Sequence, residues 1–87
     1  MKLVNYSSNI KISTELEALL SKLESVSFAD ECRFEIRNYG RRFCCIFKKN
    51  NKYSKESCWH LKDLSKINND SSILENAAKE IDESWSD

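Results

Sequence analysis

The sequence predicts an α+β fold: a three-stranded antiparallel sheet with an N-terminal and a C-terminal helix packed on one face, in the order α-β-β-β-α. Three observations carry this. Cys32, Phe34 and Ile36 alternate with Glu31, Arg33, Glu35 and Arg37, the period of two of a half-buried strand. Leu16, Leu19, Leu20 and Leu23 recur at the spacing of one helix face, and Ile73, Leu74, Ala77, Ala78, Ile81 and Trp85 do so near the end of the chain. Asn38, Tyr39 and Gly40, the sole glycine, separate the alternating run from a second apolar run, Arg42 to Lys48, which makes a β-hairpin of the two.

At the start of the chain, Val4, Tyr6, Ile10 and Ile12 keep to even positions, interrupted by Ser8, and fit a short edge strand and an irregular lead-in equally. Thr14 with Glu17 three positions later reads as a capping box, in which hydroxyl and carboxylate each accept from a free backbone N–H. A helix therefore begins there, with Glu15, Glu17, Lys22 and Glu24 on its wet side and Val26 able to extend the leucine stripe. Ser25, Ser27, Ala29 and Asp30 form a polar connection, with Phe28 placed to fold back over the helix end.

Within the hairpin, register decides what is buried, because a slip of one residue turns every side chain over. A loop centred on Tyr39 and Gly40 pairs residue 37 with 42, 36 with 43, 34 with 45 and 32 with 47. That gathers Cys32, Phe34, Ile36, Phe43, Cys45 and Phe47 on one face. A three-residue loop with Gly40 left-handed pairs 34 with 44 and turns the phenylalanines outward. Burying two phenylalanines outweighs a turn strain of about 1 kcal/mol at Tyr39, so the first register is expected. Its outer face then leaves Cys44 and Ile46 exposed among Arg33, Arg37, Arg42 and Lys48.

After a second turn at Asn50, Asn51 and Lys52, a third strand is expected across Lys52 to Cys58. A short helical turn follows across 61–67, where Cys58, Leu61, Leu64 and Ile67 also fit a helical spacing. Asn68, Asn69 and Asp70 break the chain, and Ser72 with Glu75 repeats the capping-box pattern before the last helix. The expected core is Leu16, Leu19, Leu20, Leu23, Phe34, Ile36, Phe43, Cys45, Phe47, Ile73, Ala77 and Ile81.

At 87 residues the chain is expected to form one domain, 1–87, able to bury roughly two thirds of its unfolded surface. It has no proline, no apolar run approaching a membrane span, and no signal-peptide pattern in Met1 to Ile12. A cytoplasmic location with no membrane partner is expected, and with it four reduced cysteines. The 14 basic and 14 acidic residues balance but are segregated. Arg33, Arg37, Arg41, Arg42, Lys48, Lys49, Lys52 and Lys55 stand against Glu35 alone; from Asp70 onward Asp70, Glu75, Glu80, Asp82, Glu83 and Asp87 stand against Lys79. The expected result is a basic hairpin opposed to an acidic last helix.

Cys32, Cys44, Cys45, Cys58 and His60 are enough donors for zinc, but structural sites use pairs two to four residues apart on a turn, whereas adjacent Cys44 and Cys45 point to opposite faces of a strand. No metal is expected, and the cysteines read as small apolar residues. Cys58 and His60 share a strand face in the manner of a thiolate–imidazolium dyad, without an oxyanion loop beside them. Glu31 and Glu35 read as cross-strand neutralisers, Glu31 with Lys48 for instance. Neither enzymatic activity nor a cofactor is expected.

The basic hairpin with Tyr39 at its tip suits phosphates and a stacked base. Its helix, three strands, helix order is similar to that of double-stranded RNA-binding domains, although Asn68 to Ser72 replaces their glycine- and lysine-rich entry to the last helix. The acidic stretch from Ile73 to Asp87 is similar in layout to small SOS-type and phage-type antagonist proteins, and that resemblance implies carboxylates presented to a basic nucleic-acid-binding protein. The function expected is a small non-enzymatic binding module, an inhibitor of phage or prophage type that occludes a site on a larger intracellular protein or complex. Its contact candidates are Arg33, Arg37, Arg42, Cys44, Ile46 and Lys48 on the hairpin and Glu80, Asp82 and Glu83 on the last helix. The alternative is nucleic-acid binding by the basic 33–55 hairpin.

Overall fold

The alternating run folds as β2 (Glu31–Arg37), and it is flanked on both edges. In the computed structural model, which describes residues 1–7, 13–70 and 72–80, the other elements are β1 (Lys2–Asn5), α1 (Thr14–Ser25), β3 (Arg42–Lys49), β4 (Lys52–Tyr53), β5 (Ser57–His60), a 3₁₀ turn (Leu61–Asp63), α2 (Leu64–Asn69) and α3 (Ser72–Lys79). The fold is α+β, but its sheet is mixed. β1 lies parallel to β2, β2 antiparallel to β3, and both β4 and β5 pair antiparallel with the far edge of β3. Among the described residues a five-stranded mixed sheet thus replaces the three-stranded antiparallel sheet expected from sequence, while the helical turn expected across 61–67 is present as the 3₁₀ turn and α2, beside the two expected helices.

The parallel edge arises because α1 serves as the crossover between β1 and β2, as parallel neighbours require. Leu3 pairs with Cys32 and packs against the core, whereas even-numbered Val4 pairs with outward-facing Arg33. Beyond the strand, the N–H of Tyr6 donates to the Phe34 carbonyl at 2.8 Å, and the N–H of Ile36 donates to the Ser7 hydroxyl at 2.7 Å. Ile10 and Ile12 lie outside the described residues.

α1 is capped one residue earlier than Thr14. The Ser13 hydroxyl accepts from the Leu16 N–H at 3.2 Å, and the Ser13 carbonyl takes the Glu17 N–H at 2.9 Å. Thr14 is already helical, so the expected box with Glu17 does not form. Leu16, Leu19 and Leu23 are buried, and Leu20 sits half-buried at the edge of the stripe.

The β2–β3 register is the expected one: Cys32 faces Phe47, Phe34 faces Cys45, Ile36 faces Phe43 and Arg37 faces Arg42. Asn38, Tyr39 and Gly40 all take left-handed φ values, 54°, 55° and 85°. The strain at Tyr39, an exposed side chain, is thus accepted in exchange for the buried row. Asn50 and Asn51 form the next turn at φ 53° and 63°, a conformation asparagine tolerates better than most residues.

The third strand is broken, and the break sets the geometry of the site. Up to Tyr53, pairing follows the turn: Lys49 faces Lys52 and Lys48 faces Tyr53. From Ser57 the partners are displaced by one residue, with Cys45 facing Ser57, Cys44 facing Cys58, Phe43 facing Trp59 and Arg42 facing His60. One extra residue has entered between Ser54 and Ser57, the signature of a β-bulge. Buried Ser54 anchors it: its N–H donates to the Phe47 carbonyl at 2.8 Å, and its hydroxyl accepts from the Phe47 N–H at 2.9 Å and donates to the Lys55 carbonyl at 3.1 Å. Had that residue stayed in the ladder, continuing the register of the turn, Cys58 would face Phe43 and point into the core. With it bulged out, Cys58 points outward and Trp59 stacks on Phe43, ring centroids 6.4 Å apart.

The three helices cover one side of the sheet. Leu16, Leu19 and Leu23 of α1, Leu64 and Ile67 of α2, and Leu74 of α3 form one cluster with the inner row of β2 and β3. Each such side chain contributes about 1.5–3 kcal/mol on burial. Phe28 folds back as expected, edge-on to Phe47 at 5.4 Å. Ile73 and Ala77, expected in the core, are half-buried against it; Ile81 lies outside the described residues. The core also takes in Ala29, Cys32, Leu64, Ile67 and Leu74. α3 opens on Asp70, whose carboxylate accepts from the N–H and hydroxyl of Ser72, so Ser72 is inside the helix and no box forms with Glu75. The expected continuation to Trp85 lies outside the described residues.

Candidate functional site on the open sheet face

Residues that alternate with the core row point to the other side of the sheet. These are Glu31, Arg33, Glu35 and Arg37 on β2, Arg42, Cys44, Ile46 and Lys48 on β3, Tyr53 on β4, and Cys58 and His60 on β5. Among the described residues no helix contributes to this side. A groove of about 440 Å³ runs over it, lined by Tyr6, Arg33, Glu35, Arg37, Ile46 and Glu56 among others.

The expected basic rim is largely neutralised within the fold. Arg33 Nε lies 3.3 Å from Glu31 Oε2, and its guanidinium sits 4.8 Å above the Tyr53 ring. Burial alone would lower the Arg33 pKa, but Glu31, Tyr53 and Tyr6 outweigh it and raise it. Arg37 donates to both oxygens of Glu56 at 2.9 Å and to Glu35 at 2.9 Å. Those hydrogen bonds, Glu56 first, push its pKa further above the ordinary arginine value. Glu31 faces Lys48 in register, yet its carboxylate goes to Arg33, while Lys48 Nζ lies 5.7 Å from the Tyr53 ring centre. Arg42 stays exposed at the end of β3.

Cys44 differs most from expectation. It is buried, at 2% exposure, because Cys58 covers it from the neighbouring strand and the two sulfurs are bonded. The expected exposed Cys44 and the expected set of four thiols are both corrected by this pairing, which the bulge creates. Cys58 itself is exposed, and its Sγ lies 3.7 Å from Glu56 Oε1. On the core side Cys32 and Cys45 are free, as expected. The hydrogen bond with Cys32, followed by burial, pushes the Cys45 thiol well above its usual range. The sheet therefore divides the five donors considered for zinc, with Cys32 and Cys45 inside and Cys44, Cys58 and His60 outside. His60 Nδ1 accepts the Lys62 N–H at 3.4 Å, and no described hydrogen bond joins it to Cys58.

Of the hairpin candidates, the fold brings Arg33, Arg37, Cys44, Ile46 and Lys48 onto one surface with Arg42 at its end. Glu80 is far from them in role: exposed at the end of α3, its carbonyl accepts the Lys55 N–H at 2.7 Å. Asp82 and Glu83 lie outside the described residues. Tyr6, Tyr53 and Glu56 belong to the surface but were not among the sequence candidates. Glu56 could have been found from its place two residues before Cys58, had the bulge been foreseen.

Among the described residues no helix is long and apolar enough to cross a membrane. No protein-family model, no curated protein and no solved structure matches this chain.

Proposed function

We propose that this protein is a small non-enzymatic binding module whose open sheet face occludes a site on a larger intracellular protein or complex, in the manner of an antagonist of phage or mobile-element origin. The observation that carries this reading is the asymmetry of the sheet: helices cover one side, while the other presents half-buried Ile46 between Tyr6, Arg33 and Arg37. Tyrosine and arginine around an apolar centre are the residue types that concentrate binding energy at protein interfaces. The alternating rows of carboxylate and guanidinium would fix the partner's register more than its affinity. Nucleic acid is the alternative occupant. Against it, Arg33 and Arg37 already face carboxylates, which leaves Arg41, Arg42, Lys49 and Lys52 at the ends of the sheet for phosphates.

The test is site-specific photo-cross-linking in the native host, with a benzophenone side chain at position 46 or, as control, at Glu17 on the exposed side of α1. A discrete protein adduct from position 46 alone, abolished by Arg33→Glu, is the expected result. Equal labelling from both positions, or none from 46, removes the reading. An adduct to nucleic acid transfers it to the alternative.

A further inference from the structure

We propose that Cys44, Cys58 and Glu56, once the two sulfurs are reduced, form a site for one thiophilic divalent cation of the zinc class on the open face of the sheet. The site shares Cys44, Glu56 and Arg37 with the groove that holds Tyr6, Arg33 and Ile46, but its test reads metal alone and does not depend on the partner reading.

The donors converge by construction. The bulge sets Cys58 directly opposite Cys44 on the outer face, and Glu56 lies two residues before Cys58. One donor atom from each of the three residues lies within 4.8 Å of the other two. The Cys58 Sγ to Glu56 Oε1 distance of 3.7 Å is already close to the edge of a zinc tetrahedron. Bonds of about 2.3 Å to sulfur and 2.0–2.2 Å to a carboxylate oxygen put those two atoms about 3.6 Å apart.

The carboxylate also discriminates between uses of the cysteines. An anion beside a thiol favours its protonated form and opposes thiolate nucleophilicity. Beside a cation the same anion supplies a donor and a charge. Arg37 takes one lone pair from each Glu56 oxygen, at 2.9 Å, and a carboxylate offers about two per oxygen, so donor capacity remains. Two thiolates and one carboxylate exceed a dication by one negative charge, which the Arg37 guanidinium balances through its hydrogen bonds to Glu56, fixing the carboxylate's orientation as well. Exposed Cys58 gives the cation a way in and leaves a fourth position to solvent.

Access is governed by oxidation state. A small-molecule dithiol, or two monothiols, delivers two electrons and two protons to the Cys44–Cys58 bond; the S–S bond breaks, two thiols form, and the reductant leaves as its own disulfide. The cation then displaces both thiol protons to solvent. Two thiolates on one zinc stand about 3.8 Å apart against about 2.05 Å in a disulfide, so the loaded and oxidised forms exclude each other.

The experiment is an anaerobic titration of the full chain with Co²⁺, reading the thiolate-to-cobalt charge-transfer band, followed by Zn²⁺. The expected result is one Co²⁺ per reduced chain, displaced by one equivalent of Zn²⁺, and no band from the disulfide form. Cys58→Ser should abolish the band, and Cys32→Ala with Cys45→Ala should keep it. Glu56→Gln, on the surface and harmless to the core, should weaken Zn²⁺ binding by about tenfold or more. A reduced protein without the band, a band that survives Cys58→Ser, or a Glu56→Gln protein with unchanged affinity overturns the proposal.

Discussion

Arg37 on β2 grips Glu56, in the bulge that precedes β5, through two parallel hydrogen bonds of 2.9 Å that reach across the intervening strand β3. The pair ties together strands that share no ladder. Both side chains are about two-fifths exposed, at 42% and 40%, so solvent screens the attraction. A double-mutant cycle with Arg37→Ala and Glu56→Ala should give a coupling energy of about 0.5–1 kcal/mol by urea denaturation. The coupling should shrink in molar salt.

Phe43 is fully buried between Phe34 and Trp59, with ring centroids 5.7 and 6.4 Å away. Phe43→Ala removes the centre of this stack from the middle strand, where neighbours on both sides resist collapse into the cavity. A loss of about 3–5 kcal/mol is expected, read as a lower urea midpoint with little change of slope.

The Cys44–Cys58 bond spans 14 positions, all of them within the β3–β5 half of the sheet. Closing a loop of that size is worth about 3 kcal/mol through the unfolded chain. Reduction without added metal should lower the thermal midpoint by on the order of 10 °C. The Cys44→Ser, Cys58→Ser double variant should melt with the reduced protein and show no response to reductant.

Asp70 governs the start of α3 in a pH-dependent way. Hydrogen bonds from the Ser72 hydroxyl first and the Ser72 N–H second hold its carboxyl below the usual value. Because the folded pKa is depressed, its contribution is complete above the unfolded value of about 3.9 and is lost as pH falls through the folded one. Between pH 6 and pH 3 the urea midpoint of the natural protein should therefore fall further than that of Asp70→Ala. An equal fall in both would deny Asp70 this role.

Much of this fold is legible in the residues themselves. The hairpin register follows from the cost of exposing Phe43 and Phe47, which outweighs a local preference at Tyr39; the same logic places Leu16, Leu19 and Leu23. β1 is not legible in this way, because a strand of four residues with Leu3 as its inward anchor has no local signature, and its parallel partner becomes adjacent only once α1 has folded. Caps slipped where serine and threonine adjoin: Ser13 and Thr14 can both cap, and only backbone geometry separates them. The candidate site depended on a subtler feature. Arg33, Arg37 and Ile46 follow from the register of the first hairpin, but Cys44 with Cys58, and Glu56 beside them, require one residue near Ser54 to bulge out of the ladder, for which a buried serine among polar neighbours gives no warning.

That bulge gives the last strand something like a reading frame. Upstream, the Asn50–Asn51 turn fixes one phase of the alternation; downstream, Trp59 against Phe43 fixes the other, and the extra residue is the shift between them. Deleting Lys55 would bring the two phases into one, with Cys58 still opposite Cys44 and Trp59 still opposite Phe43 on a ladder continuous with the turn. Whether the extra residue between Ser54 and Ser57 bulges out or stays in the ladder thus sets which side of the sheet Cys58 and Trp59 take, and removing it should leave that choice intact.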